Sequence, residues 1–147
     1  MRMRKTILSL AILVMCFTGA GKAKAEENVE IAKLKMAATA AAYNWLVLID
    51  ESDFQNCWLQ ASEVLKNTIT MDEWLPSLIS MRKPLGIALS RKLSRHELTR
   101  SLDGDFDKKQ AVITFSSSFE NKANAKETLQ VALEPDGRWR VSGYYVE

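Results

Sequence analysis

The first third of the chain carries apolar residues at steps of three and four, which is the spacing of one helical face. The members of this series are Ile31, Leu34, Ala38, Ala41, Trp45 and Leu48. They predict a first helix over about Val29 to Ile49. Other alanine, leucine and valine residues make its remaining faces apolar too, so we expect this helix to be largely covered by the rest of the protein.

Two further helices are predicted before residue 86. Asp53 can cap the second helix. Its expected buried face contains Phe54, Trp58, Ala61 and Leu65. The third helix is predicted to start at Thr70, because Thr70 and Glu73 have the spacing of a capping box. Pro84 and Gly86 then end the helical part of the chain.

After Gly86 the period of the apolar positions changes from 3.6 to two, which predicts strands. Leu93 occupies an odd position and Leu98 an even one, so we expect a bulge or break between Ser94 and Glu97. The faces of the later strands are Ala111, Ile113, Phe115 and Phe119, then Leu129, Val131 and Leu133, and finally Trp139, Val141, Gly143 and Tyr145.

Turn-forming residues near Asn121 to Asn124 and at Pro135-Asp136-Gly137 separate the last three strands. Helices that come first and an antiparallel meander that follows predict an α+β fold. We expect the N-terminal helices to pack on a four-stranded antiparallel sheet that wraps around the first helix.

The N-terminus has the pattern of an export signal. Positive residues come first, at Arg2, Arg4 and Lys5. An apolar run from Ile7 to Phe17 follows, and the small residues Ala23 and Ala25 end the segment. This pattern predicts a signal peptide over residues 1–25, cleavage after Ala25 and a periplasmic or secreted domain over residues 26–147. The apolar run is too short to span a membrane, which takes about 20 residues.

Export would change the charge of the protein. The 147-residue chain has 20 basic and 18 acidic residues, a net charge of +2. Five of the basic residues lie in the predicted signal, so 15 remain against 18 acidic residues. A net negative domain lacks the basic surface that is typical of nucleic-acid binding, and we expect no nucleic-acid partner.

Cysteine and histidine are too few for the common catalytic and metal sites. Cys16 lies in the predicted signal, which leaves Cys57 without an internal disulfide partner; it is either a buried apolar residue or a reactive thiol. His96 is the only histidine, and its charged neighbours favour an exposed strand position. Asp103, Asp105 and Asp107 alternate, but the spacing of a calcium loop is missing, so we expect a solvated connection. No cofactor or metal is indicated.

Aromatic and charged residues on the predicted apolar faces are the remaining candidates. The tryptophans could pack in the core or line a ligand pocket between helices and sheet. Arg82 ends a helix and Glu127 lies on a strand, and we expect this pair to hold the helical layer to the sheet. The candidate ligand-binding residues are Trp45, Trp58, Trp74, Arg82, Glu127 and Tyr144.

Short motifs along residues 43–146 resemble a known family. In chain order they are Trp45-Leu46 with Asp50, Trp58-x-x-Ala61-Ser62, Glu73-Trp74, Arg82-x-Pro84-Leu85-Gly86, Ser90-Arg91, Phe119-x-Asn121-Lys122, Glu127-Thr128 and Gly137-x-Trp139-Arg140-Val141-x-Gly143-Tyr144. This pattern resembles the bacterial family of exported proteins called domain of unknown function 4019. Two departures are Cys57, where the family often has a small hydroxyl residue, and Ser101 to Gly104, which replace a longer turn.

The resemblance implies an uncharacterised bacterial protein with no assigned catalytic residue. The order of helices and strands is also similar to cystatin-like and nuclear-transport-factor-like folds, which host enzymes, binders and inhibitors alike. Our leading hypothesis is a non-enzymatic periplasmic module that binds an unknown protein or small molecule. The alternative is a small hydrolase or isomerase that uses Asp50 or Glu127 in a cavity. Neither ligand nor oligomeric state follows from the sequence.

Overall fold

The computed structural model describes residues 19–100 and 109–147. The helices are α1 (Gly19–Asp50), α2 (Phe54–Leu59), α3 (Glu63–Thr68) and α4 (Met71–Arg82), and a short 3-10 helix covers Lys83–Leu85. The strands are β1 (Ala88–Arg100), β2 (Lys109–Phe119), β3 (Lys122–Leu133) and β4 (Trp139–Val146). They form one antiparallel sheet in the order β1-β2-β3-β4, so the predicted α+β meander is confirmed.

The core lies between the inner face of the sheet and α1, which contacts all four strands. Its largest fully buried apolar side chains are Phe115, Phe119, Leu46, Ile49, Ile113, Leu129, Val131 and Val141. On β2 the alternation of buried and open positions follows the predicted odd-numbered face. Cys57 is fully buried in the same cluster, and burial raises the pKa of its thiol to about 12. The structure therefore supports the apolar interpretation of Cys57.

The prediction that α1 is largely covered is wrong for two parts of the helix. The helix begins at Gly19, before the predicted start at Val29. Residues 29–33 of the predicted helix are exposed, as are residues 21–28 before it, and burial begins only where the helix reaches the sheet. On the second half, the side away from the sheet carries exposed apolar residues, among them Met36 and Val47. Tyr43 lies at the margin of this side: it is 43% exposed, and its ring packs edge-to-face on the buried Phe115 ring with 5.4 Å between centroids. The physical reason is geometric, because a single four-stranded sheet can cover only one side of a helix.

The second predicted helix is two helices in the structure, α2 and α3. The Asp53 carboxylate caps α2 by accepting from the Asn56 N–H at 3.3 Å, as predicted. The break comes at Ser62, whose hydroxyl accepts from the Leu65 N–H at 3.2 Å and starts α3. The Ser62 N–H donates to the Val141 carbonyl at 2.9 Å, so this buried residue also ties the helices to β4.

The start and end of α4 follow the sequence signals. The Glu73 carboxylate accepts from the N–H and the hydroxyl of Thr70, at 3.1 and 2.7 Å, which confirms the capping-box pair. After the helix, Gly86 adopts φ of 75°, a conformation that favours glycine. A Cβ there would lie 2.6 Å from a carboxylate oxygen of Glu120 and would displace that side chain.

Extra residues in the outer strands change which side chains face the core. In β1 one irregularity, between Ala88 and Ser90, leaves Leu89 without a partner. A second falls between Leu93 and Arg95, so the expected bulge is present and centred on Ser94. In β4 the extra residue is Ser142, since Val141 and Gly143 pair with neighbouring residues of β3. The predicted inward position of Tyr145 is therefore wrong, and Tyr145 is 52% exposed.

Two other expectations concern connections. The turn between β2 and β3 is tight, at Glu120 and Asn121, and therefore lies earlier than the predicted 121–124. Gly137, with φ of 78°, turns the chain between β3 and β4 as predicted. The alternating Asp103, Asp105 and Asp107 lie outside the described residues.

Candidate functional site

A buried carboxylate, Glu127 on β3, is the centre of a polar cluster on the inner face of the sheet. Its side chain is fully buried. Arg91 donates to it through Nε at 2.6 Å and through Nη2 at 3.1 Å. The Ser117 hydroxyl donates at 2.5 Å and the Tyr144 hydroxyl at 2.7 Å. Each carboxylate oxygen thus accepts two hydrogen bonds, which fills the acceptor sites of the group.

The sheet register explains why these groups meet. Arg91 lies opposite Ser117 in the β1–β2 pairing, and Glu127 lies opposite Phe115 in the β2–β3 pairing. All of these side chains therefore point to the face that α1 covers. The bulge at Ser142 turns Tyr144 to the same face.

A second carboxylate, Asp50 at the end of α1, joins the cluster to the helical layer. It accepts from Arg91 Nη1 at 2.8 Å and Nη2 at 3.2 Å, and from Arg82 Nη2 at 3.1 Å. Its side chain is 30% exposed, whereas the two arginine side chains are 7–8% exposed. Two guanidinium groups and two carboxylates balance in charge at this place.

The prediction that Arg82 pairs with Glu127 is wrong. Arg91 contacts Glu127, and Arg82 instead pairs with Asp50, donates to the Gly86 carbonyl at 2.5 Å and lies 4.7 Å from the centre of the Phe119 ring. Arg82 ends α4, and of the two carboxylates of the cluster its side chain contacts only Asp50. Sequence reasoning missed Arg91 because a charged side chain reads as a surface residue, although its odd position puts it on the same face of β1 as Leu93.

The cluster fixes the protonation of Arg91 and Tyr144. Burial alone would lower the pKa of Arg91, but its hydrogen bonds to Asp50 and Glu127 outweigh burial and raise that pKa. Burial and the negative charge of Glu127 raise the pKa of Tyr144 well above its ordinary value. Arg91 therefore stays charged and Tyr144 stays a neutral donor under all physiological conditions.

The tryptophans continue the cluster into the helical layer. Ring centroids lie 5.5 Å apart for Trp58 and Trp74, 6.2 Å for Trp74 and Trp45, and 5.5 Å for Trp45 and Tyr144. Trp45 is buried and donates through its indole nitrogen to the Cys57 carbonyl at 2.9 Å. Trp58 and Trp74 are half-buried. The structure thus brings the six candidate residues into one connected group that is engaged mainly in internal contacts.

Two open grooves flank α1 on its outer side. One, of about 420 Å³, lies toward β1 and is lined by Met36, Tyr43, Leu93 and His96 among others. The other, of about 450 Å³, lies toward the turn before β4 and includes Trp139. His96 is half-buried, with Nδ1 3.4 Å from the Thr39 hydroxyl, so the expected exposed position is wrong. The cause is the bulge at Ser94, which turns even-numbered residues inward.

Two general site types are not found in the described part of the chain. Its histidine, cysteine, aspartate and glutamate residues form no group of three that could hold a metal ion. None of its helices combines the length and the apolar character that a membrane crossing requires.

Comparison with known families and proteins gives one match. A profile of the family "Protein of unknown function (DUF4019)" matches residues 41–144, so the chain belongs to this family. The matched range includes Asp50, Arg82, Arg91, Glu127 and Tyr144. No curated protein and no solved structure matches the chain.

Proposed function

We propose that this member of the DUF4019 family is an exported, non-enzymatic protein-interaction module that binds through the outer side of α1. The proposal is carried by one observation, a line of exposed apolar residues on that side. We call this line the outer stripe; it consists of Val29, Met36, Ala40, Tyr43 and Val47.

The outer stripe is unusual for a surface helix. Such a helix normally places charged and polar residues opposite its buried face. Here Met36 is 71% exposed, and Val29, Tyr43 and Val47 are 43–54% exposed. Contiguous exposed apolar side chains on a monomer are typical of a surface that another protein covers.

The polar cluster supports binding over the alternative of a small hydrolase or isomerase. A general base needs a free acceptor site that can reach a substrate proton. Glu127 accepts four hydrogen bonds within the protein, from Arg91, Ser117 and Tyr144. Asp50 accepts three from two arginines. Both carboxylates therefore serve to join β1, β3 and β4 to the ends of α1 and α4.

Export is part of the proposal and is compatible with the fold. Cleavage after Ala25 would fall inside α1, in the segment of residues 21–33 whose side chains are all exposed. Of the residues that cleavage would remove, residues 21–25 have described side chains, and all of them are exposed. The processed chain would begin with Glu26, about three turns before Ala38, the first buried residue of α1.

Site-specific photo-crosslinking in living cells tests the interaction surface. A benzophenone amino acid is placed at Met36, and the matched control carries it at Val64 of α3, which is 51% exposed and lies off the stripe. We expect a discrete adduct from position 36 and none from position 64. Equal patterns from the two positions, or no adduct from either, would refute the proposed surface.

A further inference from the structure

We infer that the outer stripe pairs with the outer stripe of a second copy of this chain, in an antiparallel helix–helix dimer. This inference rests on the proposed function and names its partner. It is carried by three features of α1: the spacing of its apolar residues, the position of two charges and the exposure of both sets.

From Met36 to Val47 the spacing of the outer stripe is symmetric. Met36, Ala40, Tyr43 and Val47 follow one another at steps of four, three and four residues. A series that reads the same in both directions matches itself when two helices run antiparallel. Met36 then faces Val47 of the second copy, and Ala40 faces its Tyr43, a small residue against a large one. A two-fold interface requires this kind of self-complementarity.

Two charges flank the stripe in positions that suit the same arrangement. Lys33 and Glu51 are 18 residues apart, which is five turns at 3.6 residues per turn, so they lie on the same side of the stripe at opposite ends. The Glu51 N–H donates to the Val47 carbonyl at 3.0 Å, so the helical path reaches Glu51. Both residues are exposed. Antiparallel pairing brings Lys33 of each copy beside Glu51 of the other, twice per dimer.

The size of the surface sets the expected strength. Met36 to Val47 span about 16 Å of helix at a rise of 1.5 Å per residue. Interfaces below the standard size are weak or transient. We therefore expect a dissociation constant on the order of micromolar, with dimers that form and separate as concentration changes.

Sedimentation velocity of the purified protein at rising concentration tests self-association. We expect a monomer–dimer equilibrium that Met36→Glu weakens at least about tenfold, because pairing would bury an unpaired carboxylate. The matched control is Val64→Glu, which adds the same charge at a similarly exposed position and leaves the equilibrium unchanged. Met36 is 71% exposed, so its replacement does not threaten the core. A protein that stays monomeric throughout, or a dimer that Met36→Glu does not weaken, overturns the inference.

Charge exchange tests the two flanking contacts. We expect Lys33→Glu to weaken the dimer, and the double variant Lys33→Glu with Glu51→Lys to restore it. Weakening that the second substitution does not reverse would show that the two residues do not meet.

Cysteine crosslinking tests the direction of the helices. In the antiparallel arrangement, a mixture of the Met36→Cys and Val47→Cys proteins forms a disulfide-linked dimer on mild oxidation, and neither variant does so alone. Native Cys57 is fully buried and leaves the background low. Efficient linkage of the Met36→Cys variant to itself indicates parallel helices and overturns the inference.

The two proposals fail separately. One combined outcome is a monomer in solution and, in cells, an adduct between position 36 and a different protein. It would refute the dimer and still support a protein-interaction surface on α1. An adduct whose mass equals twice the chain, and which the Val47→Glu substitution removes, supports both.

Discussion

Replacing Arg91 with methionine removes the side chain that holds Glu127 and Asp50 together. Glu127 then keeps the hydroxyls of Ser117 and Tyr144 and loses both guanidinium hydrogen bonds, although it is fully buried. Breaking a buried ion pair by removing one partner costs about 3–5 kcal/mol, because the remaining charge is left without compensation. We expect this loss in the free energy of unfolding, which is a large share of the roughly 5–15 kcal/mol of a typical domain.

A double-mutant cycle separates this pairing from the other effects of the substitution. Glu127→Gln alone leaves Arg91 with one carboxylate, and we expect it to cost about 1.5–3 kcal/mol, the range for a hydrogen bond to a charged group. The double variant should cost less than the sum of the two, with a coupling energy of about 1 kcal/mol or more. Urea unfolding followed by tryptophan fluorescence gives all four values.

The control is an exposed ion pair of the same length. Arg95 and Glu97 lie 2.6 Å apart, as do Arg91 and Glu127, but their side chains are 66% and 47% exposed. Exposed pairs contribute about 0–1 kcal/mol, so Arg95→Met should change little. If Arg91→Met does not fold, Ser117→Ala removes a single donor and should cost about 1–3 kcal/mol. Additive effects in the cycle, or an Arg91→Met no more costly than the control, would refute the reasoning.

Four other outcomes are expected. Tyr144→Phe should cost about 1–3 kcal/mol because it removes a donor from Glu127, whereas Tyr145→Phe should stay within about 0.5 kcal/mol; equal urea midpoints would contradict this. Trp139→Ala should cost about 3–5 kcal/mol, and a Tm close to that of the wild type would contradict its burial. Burial raises the pKa of Cys57 from 9.0 to about 12; above pH 9 the unfolded chain therefore releases a proton that the folded chain keeps, and stability falls as pH rises toward 12. Cys57→Ala should reduce this loss of stability with rising pH. An equal dependence of the urea midpoint on pH in the two proteins would contradict the prediction. Mass spectrometry of the envelope fraction should find a chain that starts at Glu26, and a protein that retains Met1 would exclude processing.

Features that depend on neighbouring residues were predictable from the sequence. The contact of Thr70 with Glu73 and the cap at Asp53 are local, so spacing alone identifies them. The buried face of β2 was also predictable, since Ile113 and Phe115 alternate with more exposed positions without interruption. These elements need no knowledge of what packs against them.

Features that depend on pairing between strands were not predictable. Tyr144 faces the core because Ser142 is an extra residue, and the apolar period of β4 gives no sign of it. Arg91 reads as a surface residue in the sequence, and only the register of β1 against β2 brings it beside Glu127. The apolar composition of α1 indicated that something covers the helix, but the sheet covers only one side.

The positions of the extra residues in the outer strands determine where the sheet can tolerate a one-residue deletion. Leu89, Ser94 and Ser142 each lack an opposite partner, and each belongs to an outer strand of the sheet. Deleting Ser142 would make the ladder regular and still leave Val141 and Tyr144 facing inward, since the residues on both sides keep their present partners. Elsewhere in a strand, a one-residue deletion exchanges the buried and solvent faces. Here it would leave the same side chains facing the core. Relatives of this chain should therefore differ in length at these three points more than in the regularly paired part of β2, residues 109–117.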